Sequence, residues 1–130
     1  KRNTDSPQVA EVLERIDLSW KRKALSQALS HGEKQWLEIG MVLMSRPRLM
    51  LLDEPTAGMT PAETYRTSQL IKAISQETST IVIEHDLKFV REIARKITVL
   101  HHGRVLAEGP IDEVAQSEMV RKAYLGGKVL

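Results

Sequence analysis

The sequence contains no cysteine. Disulfides, thiolate metal sites and cysteine nucleophiles are therefore excluded. Aromatic residues are scarce, with one Phe, two Tyr and two Trp among 130 residues. No aromatic array accompanies Trp20 or Trp36, so both are expected to serve packing or interfaces rather than base stacking. Net charge is also small, because 19 Lys and Arg against 17 Asp and Glu leave a formal +2. So even a balance gives no reason to expect nucleic acid as a partner. The cluster Lys21-Arg22-Lys23 is expected to be a solvated face. No apolar run approaches the roughly 20 residues that span a bilayer. Lys1-Arg2-Asn3-Thr4-Asp5 lacks the apolar stretch of a signal peptide. The first residue is not Met, so a piece of a longer polypeptide is expected. Internal repeats and low-complexity segments are missing too.

What is present is ordinary globular composition, 42% hydrophobic and 28% charged. The length suits one domain or a substantial part of one. Residues 1–48 carry 9 Lys/Arg and 6 Asp/Glu, a formal +3, and residues 49–130 carry 10 and 11, a formal −1.

Ser6-Pro7 predicts a helix start, with Ser as cap and Pro at the first position, where its missing N–H costs nothing. Val9, Val12, Leu13 and Ile16 follow at helical spacing. A short helix is expected around 23–28. Ser30-His31-Gly32-Glu33 has the form of a capping box and predicts a helix over 33–45, with Leu37, Met41 and Met44 on its core face. Leu49-Met50-Leu51-Leu52 predicts a strand buried on both faces of a parallel sheet. Thr60-Pro61-Ala62-Glu63 repeats the capping logic and opens a helix to about residue 76. Thr80-Ile81-Val82-Ile83 predicts a second buried strand. Asp86 can cap a helix with Leu87, Val90, Ile93 and Ala94 inward. Residues 97–101 and 104–108 flank His102-Gly103, which reads as a tight hairpin. His101-His102 lacks a third metal ligand and is read as part of that turn. Short helices are expected at 111–116 and 117–125, the last ended by Gly126-Gly127. Strands alternating with helices imply an α/β fold with an antiparallel pair near the end.

Three places carry chemistry. Asp53-Glu54 ends an apolar strand, and open α/β sheets collect ligands at the carboxyl ends of strands. Hard carboxylate oxygens there suit Mg²⁺ carrying a nucleotide phosphate, although solvated acids at a strand end are equally simple. His85 follows the next strand, as a site residue or a structural donor. Ser30 and Gly32 start a helix, where free N–H groups and the dipole favour an anion, or where Ser30 is only a cap.

Order and spacing join these places. Leu29-Ser30-His31-Gly32-Glu33-Lys34-Gln35 resembles the signature of ATP-binding cassette (ABC) proteins, usually written LSGGQ. Leu49 to Thr56 resembles the Walker B strand with its catalytic glutamate. Ala57-Gly58-Met59-Thr60 occupies the D-loop position, and Glu84-His85-Asp86 resembles the switch-histidine loop. Ser30 precedes Asp53 by 23 residues, and His85 follows Glu54 by 31. The resemblance implies that Asp53 holds Mg²⁺ through water and that Glu54 orients and deprotonates the attacking water. It implies that His85 touches the γ-phosphate and the partner's D-loop. Ser30, His31, Gly32 and Glu33 would meet ATP held by a second ATP-binding subunit.

Three departures stand out. His31 and Glu33 replace the family's Gly and Gln, and a carboxylate facing a phosphate is unfavourable. The capping box would instead turn Glu33 back onto its own backbone. Thr60 stands where the D-loop usually has Asp. No GxxxxGK[ST] occurs, and that loop supplies the N–H groups and Lys that cradle nucleotide phosphates. The 130 residues alone are therefore expected not to hydrolyse ATP.

The implied fold is the C-terminal portion of a P-loop, RecA-like ABC nucleotide-binding domain, a parallel sheet flanked by helices with a terminal β-hairpin. Residues 1–46 would end the helical subdomain, and residues 47–130 would complete the catalytic core and tail. The run 56–64 and the ending Tyr124-Leu125-Gly126 are similar to the branched-chain amino acid importer class, and the run 30–40 to its urea branch. The implied setting is peripheral, on the cytoplasmic face of the plasma membrane beside transmembrane permease subunits. The competing expectations are a soluble ABC ATPase of DNA repair or translation, and a non-enzymatic dimerisation module.

Overall fold

The computed structural model describes residues 6–124. The Lys1–Asp5 reading and the 125–127 ending lie outside the described residues. The chain divides into two compact units, with the boundary between Phe89 and Val90.

The first unit opens with α1 (Pro7–Arg15) and α2 (His31–Leu43), joined by two 3₁₀ turns at Ser19–Lys21 and Ser26–Ala28. Only the second of these turns falls in the 23–28 stretch where a short helix was expected. Pro7 occupies the first turn of α1, but the Ser6 side chain makes no capping bond. α2 begins at His31 and carries a complete capping box. Its buried residues are Gly32, Glu33, Trp36, Ile39, Gly40 and Leu43. The expected stripe of Leu37, Met41 and Met44 is thus rotated. Leu37 and Met44 flank the core, whereas Met41 is 67% exposed. The reason is packing at Gly40, where a Cβ would lie 2.6 Å from Ile16 Cδ1. That absent side chain lets α1 sit against the backbone of α2 and fixes which face turns inward.

The strands β1 (Leu49–Asp53) and β2 (Ser79–Ile83) pair in parallel, with Leu49 opposite Ser79 and Asp53 opposite Ile83. α3 (Pro61–Ile74) connects them as the crossover helix. Met50 is buried on one face and Leu52 packs against the same core. The opposite face is not buried as expected: Leu49, Leu51, Ile81 and Ile83 are all more than half exposed. Strand side chains alternate, and α1–α3 supply apolar partners on one side. The core joins Val12, Ile16, Leu18, Trp36, Ile39, Leu43, Met50 and Ile74. Each such large apolar side chain contributes about 1.5–3 kcal/mol by leaving water.

α4 (Leu87–Ile93) is capped by the Asp86 carboxylate, which accepts from the N–H groups of Lys88 and Phe89. Phe89 is its buried residue, while Leu87, Val90, Ile93 and Ala94 are half-buried.

The second unit contains an antiparallel hairpin of β3 (Ile97–His101) and β4 (Arg104–Gly109). Its turn, His102-Gly103, has left-handed φ values of 46° and 72°, as a two-residue hairpin loop needs. α5 (Ile111–Gln116) and α6 (Glu118–Tyr124) follow, burying Val114 and Val120. The Tyr124 hydroxyl donates to the Leu100 carbonyl.

Candidate functional site

The site residues lie in the first unit, in two groups. The first gathers at the carboxyl edge of the parallel pair. Glu54 leaves β1 with a left-handed φ of 44°, and its N–H donates to the Ile83 carbonyl at 2.9 Å, extending the ladder by one rung. Such a conformation costs a non-glycine residue energy and re-aims its side chain relative to the strand. His85, just past β2, places Nδ1 3.2 Å from Glu54 Oε1. A carboxylate only accepts, so Nδ1 carries the proton in this pair. Both side chains remain open to solvent, at 78% and 53% exposure. Asp53, also exposed, is the last residue of β1.

Beneath this pair lies Glu84, whose side chain is 1% exposed. Its Oε1 accepts from the Thr56 N–H at 3.2 Å and the Thr56 hydroxyl at 2.6 Å. Its Oε2 accepts from the His85 N–H at 3.2 Å. One buried carboxylate thus ties the residues after Glu54 to the peptide of His85. Nothing near Glu84 in the chain signals this role, because its partner Thr56 lies 28 residues away.

The second group surrounds the start of α2. Ser30 Oγ accepts from the Glu33 N–H at 3.2 Å, and Glu33 Oε2 accepts from the Ser30 N–H at 2.8 Å. Glu33 does turn back to its own backbone, and Lys21 Nζ meets the same oxygen at 2.5 Å. The Lys21 ammonium, then the Ser30 N–H, hold the Glu33 carboxyl below the usual carboxylate range. His31 Nε2 lies 2.9 Å from the Ala57 carbonyl oxygen. A carbonyl cannot donate, so Nε2–H donates, and the 30–33 segment is fastened to the 57–60 loop.

A further carboxylate, not anticipated at this site, enters from α3. Glu63 Oε1 accepts the Ser30 hydroxyl proton at 2.8 Å, while Oε2 accepts from the Thr60 N–H and hydroxyl at 3.0 and 2.9 Å. These donors, with the Gly32 N–H, hold the Glu63 carboxyl at about 2, Thr60's N–H being the largest cause. Deeper in, Thr67 is fully buried; its hydroxyl accepts from Trp36 Nε1 at 2.9 Å and donates to the Glu63 carbonyl at 2.8 Å. Met59 Sδ sits 3.2 Å from the same oxygen. Loop 57–60, α2 and α3 therefore share one polar seam.

The site thus comprises an acid–imidazole pair at the parallel-strand edge and a capped helix start fastened to loop 57–60. The comparisons with known proteins bear on the fold that carries them. A family profile described as ABC transporter matches residues 1–57. The fold is similar to the solved ADP conformation of MJ1267, an ATP-binding cassette of an ABC transporter. There the TM-score is 0.81 at 27% identity, over 94% of this chain and 51% of that one. It is also similar to cbiO1 from Clostridium perfringens, part of the ABC transporter complex cbiONQ. That match has a TM-score of 0.78 at 30% identity, over 91% of this chain and 48% of that one. The chain resembles the ATP-binding proteins of ABC transporters, and its α/β fold is that of part of an ATP-binding cassette. Among curated relatives, it is 37% identical over 119 residues to the high-affinity branched-chain amino acid transport ATP-binding protein BraF of Pseudomonas aeruginosa. That match covers 90% of this chain and 47% of BraF, so the chain spans about half the length of the curated relatives it matches. No helix among the described residues is long and apolar enough to cross a membrane.

Proposed function

We propose that these 130 residues are the signature and Walker B portion of an ATP-hydrolysing subunit that energises an ABC importer. The observation that carries this reading is the 3.2 Å approach of His85 Nδ1 to Glu54 Oε1 at the end of the parallel strands. Phosphoryl transfer is driven by positioning and charge neutralisation more than by covalent chemistry. Glu54 accepts a proton from the attacking water. His85 orients that carboxylate and presents its other ring nitrogen toward the phosphate. Glu84, through Thr56 and the His85 peptide, is the positioning residue behind both. Ser30, His31, Gly32 and Glu33 form the helix start that faces ATP held by a second ATP-binding subunit, and Ala57, Gly58, Met59 and Thr60 form the loop between the two groups.

Asp53 offers a hard oxygen of the kind that suits Mg²⁺. Among the described residues, no group of three or more His, Cys, Asp or Glu is placed to hold a metal. A single hard carboxylate fits an ion shared with a nucleotide and water, with Asp53 as the protein's contribution. Bound there, Mg²⁺ supplies neutralisation of phosphate charge.

Residues 1–46 correspond on this reading to the end of a helical subdomain and 47–130 to the rest of the catalytic core. The working partners are a second ATP-binding subunit and transmembrane permease subunits, with the subunit peripheral on the cytoplasmic face. The cargo class is that of branched-chain amino acid importers, and the run 30–40 favours the urea branch. Uptake of labelled urea and leucine by cells with and without the gene separates the two.

In a subunit that also carries a phosphate-binding loop, Glu54→Gln should lower ATP turnover by about 10²-fold or more while ATP still binds. Undiminished turnover would remove Glu54 from its role. Calorimetry of the 130 residues alone with Mg-ATP should register little heat, since the cradle for the nucleotide phosphates is not among them. Tight binding would contradict that division of labour.

A further inference from the structure

The start of α2 already holds an anion of its own. Glu63 reaches from α3 so that its carboxylate takes the only proton of the Ser30 hydroxyl at 2.8 Å. A Cβ on Gly32 would fall 2.7 Å from both Cδ and Oε1 of Glu63, so the carboxylate lies directly on the helix start. The donors it uses are hydroxyls and backbone N–H groups, which leave its negative charge in place. The nearby Glu33 differs, being paired with Lys21.

We propose that Glu63 is a built-in competitor for the phosphate that Ser30 and Gly32 would receive, closing the signature to anions until the first turn of α3 moves away. This rests on the reading of residues 30–33 as a phosphate-facing helix start. A hydroxyl with one proton cannot donate to a carboxylate and a phosphate at once. Two anions a few ångströms apart repel as well, and removing the solvent between them strengthens the repulsion. The carboxylate's second oxygen is fixed to Thr60, at the end of the 57–60 loop. That loop is also fastened to the signature by His31 and the Ala57 carbonyl. The Glu63 carboxylate thus bridges the helix start and the end of the loop.

The test is amide NMR of the 130-residue chain titrated with inorganic pyrophosphate, metal omitted. The resonances followed are those of Gly32 and Glu33. In the unaltered chain they should stay still over the range that saturates Glu63→Ala, a gain of at least about tenfold for the variant, as removal of a like charge at contact demands. Glu63→Gln keeps the size and much of the cap, guarding against a merely unfolded Ala variant, and should fall between the two. Equal binding in all three chains, or tighter binding in the unaltered one, would overturn the competitor and leave the phosphate-facing reading standing. No binding in any of them would overturn that reading and the competitor with it.

Discussion

The helix starts of α2 and α3 carry the same local device in different surroundings. Both read cap, two residues, glutamate: Ser30-His31-Gly32-Glu33 and Thr60-Pro61-Ala62-Glu63. In both, the cap side chain accepts from the third residue's N–H while that glutamate returns to the cap's own backbone. Beyond that they diverge. Glu33 is neutralised by Lys21 from the neighbouring 3₁₀ turn, whereas Glu63 crosses to Ser30 of the other cap. The second helical position records the difference. It is buried Gly32 in α2 and exposed Ala62 in α3, because Glu63 presses on one and nothing comparable presses on the other. A capping motif thus fixes where a helix begins, while the tertiary partner of its glutamate decides whether that beginning is free.

Exchanging the two positions should break the comparison most sharply. Gly32→Ala should destabilise the chain by roughly 1–3 kcal/mol through overpacking against Glu63, although alanine is ordinarily the better helix former. Urea unfolding reads this directly, and a neutral or stabilising result would mean the Glu63 contact is not maintained. Ser30→Ala should cost about 1 kcal/mol, since it removes one cap and one partner of Glu63. The matching Thr60→Ala should cost a similar amount, and Glu63 should then remain on Ser30, visible as an unshifted Gly32 amide. Ala62→Gly, with no neighbour to relieve, should lose only the propensity difference, roughly 0.5–1 kcal/mol.

Acid reads the same contrast without substitution. The Glu63 carboxyl is depressed from 4.5 to about 2, so its contribution is complete above pH 4.5 and fades as the pH falls toward 2. Solvent screening makes this the shallowest of the effects. Thermal unfolding midpoints should drop across that window and drop less in Glu63→Gln. Identical slopes would show that Glu63 titrates alike folded and unfolded.

Much of this was legible in the sequence because its determinants are local. Capping boxes, the Asp86 cap, the His102-Gly103 turn and the apolar strands all announce themselves within a few residues. The motif order carried the family as well. What was not legible depends on distant contacts. Nothing near Gly40 reveals that Ile16 will press on it and turn Met41 outward. A run such as Leu49-Met50-Leu51-Leu52 cannot show that only one of its faces meets the helices. Strand ends and motif order single out Glu54 and His85, while their contact, the support from Glu84 and the arrival of Glu63 at Ser30 each span about 30 residues.

The two indoles divide between opposite settings, Trp36 sealed in the polar seam through its bond to Thr67 and Trp20 69% exposed with the Lys21 ammonium 4.6 Å from its ring centre. The molecule therefore carries its own pair of fluorophores. Acrylamide should quench one and spare the other, so any rearrangement that loosens α2 from α3 will register as a newly quenchable, red-shifted emission without a label being attached.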